Sequence, residues 1–196
     1  MKKETAHLIS TIFHPIVFAV LFPFLLIYHQ TGDFFSATRW MIFSVAFIIM
    51  TGFTFLVVRP DEVLHDFDVS KREKRPVFYG IMIVFSSLYF LAAFILRGIF
   101  YPLSIVALGI IVGIGLFDLV NTRVKASVHG GVVAAYMVTM TIFYGYFGLL
   151  ATLPLPILMA WSRISLKKHT PVEYISGVFL GCIITIGTFV LGKALL

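Results

Sequence analysis

Residues 126–162, ASVHGGVVAAYMVTMTIFYGYFGLLATLPLPILMAWS, contain no Lys, Arg, Asp or Glu. As one helix rising 1.5 Å per residue, the stretch would reach roughly 55 Å, well beyond a bilayer hydrocarbon core of about 30 Å. It must therefore turn inside itself. Thr152-Leu153-Pro154-Leu155-Pro156 supplies the break, because proline lacks an amide donor and biases its predecessor away from helix. We expect one helix from about 129 to 150 and a shorter one from about 154 to 166, which returns 163 to the membrane face that 129 left.

Outward from this stretch lie five more uncharged windows, 5–32, 40–58, 77–96, 98–117 and 174–192, each long enough for a crossing. The chain is 60% hydrophobic and 12% charged, with mean hydropathy +1.02, whereas soluble domains carry about 25% charged residues. The expectation is an all-α polytopic bundle of about seven spans, or six if 129–166 is a single or re-entrant element. It forms one integral membrane domain over 1–196. The first apolar run follows Met-Lys-Lys and continues to Tyr28 without a clear small-residue cleavage site, so it reads as a retained helix rather than a signal peptide. Cys182 is the single cysteine, which excludes an intramolecular disulfide and a cysteine metal cluster.

Seven spans put the N-terminus and the segments 59–76, 120–128 and 163–170 on one face. That face holds twelve of the fifteen Lys and Arg residues; Arg39, Arg97 and Lys193 fall on the other. The asymmetry points to a multi-pass protein of a bacterial inner membrane with a cytoplasmic N-terminus, although an anion site would concentrate the same charges on its own face. The net charge of +6 is spread over short loops, which favours membrane lipids over nucleic acid as partners. Oligomeric state is left open, a homo-oligomer included.

Three segments on the basic face carry candidate chemistry. In Ser162-Arg163-Ile164-Ser165-Leu166-Lys167-Lys168-His169-Thr170-Pro171-Val172-Glu173, Pro171 suits a first helical position. Thr170 and Glu173 have capping-box spacing, and on the plainest reading that is all they do. A further reading is compatible with it: His169 and Glu173 are four apart, so the carboxylate can orient one ring nitrogen and leave the other nucleophilic. In Lys125-Ala126-Ser127-Val128-His129-Gly130-Gly131 the histidine is interfacial and the glycines suit helix packing, yet seven-span parity puts His129 on the face of His169. In the third segment, Lys71-Arg72-Glu73-Lys74-Arg75-Pro76, most charges read as an anchoring loop. Arg75 stands out because Pro76 fixes the helix start beside it, with Lys71 nearby as a second candidate.

These segments resemble the phosphatidic acid phosphatase type 2 superfamily of membrane phosphatases. Ser162 to Glu173 is similar to its third motif, Ser-Arg, five residues, His, three residues, Asp, with Glu in the Asp place. Ala126-Ser127-Val128-His129 keeps the Ser and His of the second motif, Pro-Ser-Gly-His. Arg75-Pro76 is similar to the end of the first, in which Asp68 stands at the Lys position and Lys125 or Arg123 offers the missing charge. The resemblance covers mainly residues 100–196 and is that of a divergent member. It implies a lipid-phosphate or polyprenyl-(di)phosphate phosphatase needing no metal or other cofactor. His169 would be the nucleophile, supported by Glu173, and His129 the general acid and base. Arg163, Lys125, Ser127, Arg75 and Lys71 would hold phosphate oxygens. Transfer to another lipid in place of water would use the same groups.

Two other functions fit parts of the sequence. Asp61, Glu62, Asp66, Asp68 and Asp118 could hold a magnesium diphosphate in a membrane prenyltransferase, with His65 among them, though the set more simply balances Arg59 and the basic run. A lipid-phosphate transporter or binding protein would use the basic pocket without turnover. His14, before Pro15 in the first span, reads as an interior hydrogen-bonded histidine.

Overall fold

A computed structural model describes residues 2–60, 69, 71–99 and 101–195. Among them the chain is all-helical: α1 (Lys2–Ile12), α2 (Pro15–Thr31), α3 (Phe34–Val58), a 3-10 turn (Arg72–Lys74), α4 (Arg75–Arg97), α5 (Pro102–Asn121), α6 (Val128–Thr152), α7 (Pro154–Ser165) and α8 (Pro171–Leu195). Proline opens α2, α5, α7 and α8 and stands second in α4, where a missing amide costs nothing because the first-turn amides have no partner within the helix. Gly32, at φ 65°, ends α2, and the Asp33 side chain accepts from the Phe35 amide to start α3, so the first hairpin turns in two residues.

Six helices are long and apolar enough to cross a membrane, with α1 and α2 counted as one; these are the helices of a multi-pass membrane protein. The packing agrees. Many large apolar side chains point out of the bundle: Phe147 is 82% exposed and Phe53, Phe179 and Ile95 face outward, an arrangement that only lipid makes favourable. One buried cluster joins α2, α3, α4 and α5 around Ile27, Ala37, Trp40, Ala93 and Leu103. A second, of Phe18, Val133, Met159 and Tyr174, ties α2, α6, α7 and α8 together next to the polar segments.

Six candidate spans match the form of the expectation in which 129–166 is a single or re-entrant element. α7 has 12 residues, about 18 Å, and is too short to cross alone. The reversal within 126–162 lies elsewhere than expected. Leu153 keeps helical angles, so Pro154 continues the path, whereas Gly145 has φ 59° and ψ −140°, conformations open to glycine alone. A Cβ on Gly148 would collide with the Met140 carbonyl, so the chain after Gly145 folds back along the helix before it. Phe143, just before this turn, stacks on His29 at the end of α2, with ring centroids 4.1 Å apart. The excursion thus rises from Ser127 to the level of the α2–α3 hairpin and returns to Ser165 at its starting face.

Close helix approach fixes this face. Added Cβ atoms on Gly177 and Gly181 of α8 would collide with the backbone of Ser127 and Gly131 at the start of α6. The glycines at 130–131 are therefore a packing surface, as their plainest reading had it.

Candidate active site

The expected capping box at the start of α8 is present. The Thr170 amide donates to Glu173 Oε2 at 3.0 Å, and the Glu173 amide to Thr170 Oγ1 at 3.3 Å. The same Oε2 lies 3.3 Å from Nδ1 of His169, so one carboxylate both closes the helix and faces the imidazole. That contact lacks hydrogen-bond alignment, and Nδ1 is buried without a hydrogen bond.

His169 is placed by the end of α7. The Lys167 amide donates to Ile164 and the Lys168 amide to the Arg163 carbonyl, at 2.9 and 3.0 Å, with Lys167 at φ 56°. This left-handed helix end usually falls on glycine; here a lysine takes it, and the chain turns sharply enough to set His169 against Arg163. Arg163 and His169 are 2% and 6% exposed.

Two more cations reach the same place. Lys125 Nζ donates to the Lys168 carbonyl at 2.8 Å. Arg75 is 4% exposed and donates through Nη1 to the Ala126 carbonyl at 2.8 Å and through Nε to the Val69 carbonyl at 3.1 Å. Burial and then the charges of Arg163, Arg75 and Lys125 push His169 down to about 3, against a backbone hydrogen bond to Lys125. The ring is therefore neutral at physiological pH, as a nucleophile must be. Burial lowers Lys125 as well, with Arg75, Arg163 and Lys168 acting in the same direction and Glu173 opposing. Arg163, Arg75, Lys125 and the carboxylate of Glu173 all act on this place.

His129 sits in the first turn of α6, 5% exposed. Two residues before it, the Ser127 amide donates to the Glu173 carbonyl at 3.0 Å, which sets the two histidine-bearing helix starts side by side.

Some expected contributors have other duties. Ser127 is fully buried and its hydroxyl caps α6, accepting from the Gly130 amide at 3.3 Å. Two of Arg75's donor nitrogens hold the 69 and 126 segments. Lys71 is exposed, and among the described residues no hydrogen bond or ion pair ties it to the cluster. Asp61, Glu62, His65, Asp66 and Asp68 lie outside the described residues. Asp118 lines a shallow groove with Arg72, Glu73 and Asn121.

Sequence reasoning missed Ser10 and left His14 outside the site. Ser10 Oγ accepts from Arg163 Nη1 at 2.8 Å, and the His14 ring stands edge-on to His129, centroids 5.0 Å apart. His14 caps α2, its Nδ1 accepting from the Ile16 amide at 3.3 Å. No protein-family model, curated protein or solved structure matches the chain.

Proposed function

We propose that the chain is a lipid-phosphate or polyprenyl-(di)phosphate phosphatase working through a phosphohistidine, a divergent relative of the phosphatidic acid phosphatase type 2 superfamily. The observation that carries this reading is the convergence of Arg163, Lys125 and Arg75 on a buried neutral His169 backed by Glu173, drawn from three separate segments.

The phosphoryl group sits among the three cations, which balance its nonbridging oxygens. The His169 nitrogen turned away from Glu173 attacks phosphorus; the P–N bond forms as the bond to the leaving oxygen breaks. Glu173 stabilises the imidazolium so formed. His129 gives its proton to the leaving oxygen, then takes one from the water that cleaves the P–N bond and frees phosphate. The anion's charge also offsets the cations that hold His169 low, so substrate binding makes the ring a better base as it is needed. The outward Phe-rich surfaces suit a substrate whose hydrocarbon tail stays in the bilayer, which supports a lipid over a soluble phosphate ester.

Binding without turnover is favoured by one observation: Ser127 and two nitrogens of Arg75 are occupied by the fold. Phosphate release separates the two readings. Purified protein with EDTA should release phosphate from at least one of phosphatidate, phosphatidylglycerophosphate or a polyprenyl diphosphate, and both His169→Ala and His129→Ala should lower the rate at least ~100-fold. Release that survives His169→Ala would overturn the mechanism.

A further inference from the structure

We propose that Tyr79 is a further substrate-binding residue of this site: its phenol donates to a phosphoryl oxygen that Arg75 also holds. The proposal rests on the phosphate-site reading above and commits to one chemical group, a phosphoryl oxygen carried by a lipid headgroup or by free phosphate.

Arg75 and Tyr79 are four residues apart at the start of α4, so they share one face of the helix. That face is turned into the bundle. Tyr79 is 3% exposed and Arg75 is buried with it, while Pro76 and Gly80, the next residue after each, are exposed. Three hydrogen bonds pin the guanidinium: Nε donates to the Val69 carbonyl at 3.1 Å, and Nη1 to the Ala126 carbonyl at 2.8 Å and to Asn121 Oδ1 at 3.4 Å. Nη2 takes no part in them. The phenol lies beside this guanidinium, without the alignment of a hydrogen bond.

A guanidinium carries donors only, so Arg75 cannot accept the phenolic proton in any geometry. Asp118 acts on the phenol from α5 but does not accept from it either. The Tyr79 hydroxyl is thus a buried donor without an acceptor among the described residues, an arrangement that costs stability. Tyr89 and Tyr174, also packed between helices, are satisfied: Tyr89 pairs with Ser44 Oγ at 2.9 Å, and Tyr174 donates to the Pro156 carbonyl at 2.7 Å. Packing does not explain the hydroxyl at 79, because phenylalanine fills nearly the same volume and the chain uses it 21 times. Substrate does explain it. Arg75 already acts on His169, so a phosphoryl group placed between them brings an acceptor oxygen to the phenol and to Arg75 together.

The test is binding of inorganic phosphate and of hexadecylphosphonate, whose headgroup is not hydrolysed, to the full chain in detergent by titration calorimetry. The melting temperature of each ligand-free variant is recorded with it. Tyr79→Phe should weaken binding about tenfold, the loss of one hydrogen bond to a charged group. It should melt no lower than wild type, since it removes a hydroxyl that the ligand-free protein leaves unsatisfied. Tyr89→Phe makes the same chemical change where the hydrogen bond is made, so it should melt lower and bind as wild type does. Weakening with both ligands supports a phosphoryl oxygen from either source, and binding confined to the phosphonate, with the same weakening, assigns it to a lipid headgroup. Wild-type affinity in Tyr79→Phe, a melting loss as large as that of Tyr89→Phe, or no binding of either ligand by the wild type would overturn the proposal. Phosphate release from lipid phosphates is measured alongside. Its absence in wild type, with Tyr79-dependent binding intact, removes the enzymatic reading and leaves this contact standing; release that needs His169, with wild-type affinity in Tyr79→Phe, removes this contact and leaves the phosphatase.

Discussion

Glu173 faces two neighbours with one carboxylate, and the two duties separate by substitution. Glu173→Gln keeps a side chain able to cap α8 but removes the charge behind His169, so turnover should fall ~10- to 100-fold with melting temperature nearly unchanged. Thr170→Ala removes the cap and leaves the carboxylate, costing ~1 kcal/mol of stability with turnover retained. The reverse pattern would make Glu173 a capping residue only. His169 also gives a pH dependence. Its folded value of about 3 lies below its ordinary 6.5, so between these values the unfolded chain binds a proton that the folded one does not. Stability is therefore lost as pH falls through that window. Melting between about pH 7 and about pH 5 should drop more steeply in wild type than in His169→Gln, and phosphate should flatten the wild-type drop. Arg163, Lys125, His129 and His169 stood out as candidates because charge and imidazole are rare in so apolar a chain. Ser10 did not, since a serine in a span carries no such signal, and neither did the fold duty of Ser127 and Arg75, which depends on where backbone carbonyls end up.

Among elements, the α6–α8 contact sets side by side the helix starts that carry the two histidines. Gly181 lies against the Gly131 carbonyl and Gly177 against Ser127, one turn from the Ser127–Glu173 hydrogen bond. Gly181→Ala should cost ~1–3 kcal/mol in detergent melts and lower turnover as the helix starts separate, whereas Gly187→Ala, where a Cβ meets open space, should do neither. Equal behaviour of the two variants would show that this approach does not matter. The hydrophobic windows located the spans within a few residues, because apolar length is what a bilayer selects. The reversal at Gly145 escaped, because prolines at 154 and 156 are the stronger sequence signal for a break. Proline at a helix start is nevertheless compatible with a nearly straight path, while a single glycine between two tyrosines gives no warning that it adopts positive φ. The helix end at Lys167 was hidden for the same reason: left-handed ends are expected at glycine.

At the scale of the molecule, Lys125, His129, Arg163 and His169 share one face because the chain leaves at Ser127 and returns at Ser165. That return, rather than the number of spans, was the consequential part of the sequence reading. The cations drawn together there are what the proposed lipid-phosphate site requires. The most direct test is to quench the protein during turnover of a lipid phosphate and map the phosphorylated residue by mass spectrometry. An acid-labile, alkali-stable phosphoryl group on His169, absent from His169→Ala and accumulating in His129→Ala, is the predicted result. Turnover with no phosphoenzyme in wild type or His129→Ala, or phosphorylation of another residue, would contradict the account.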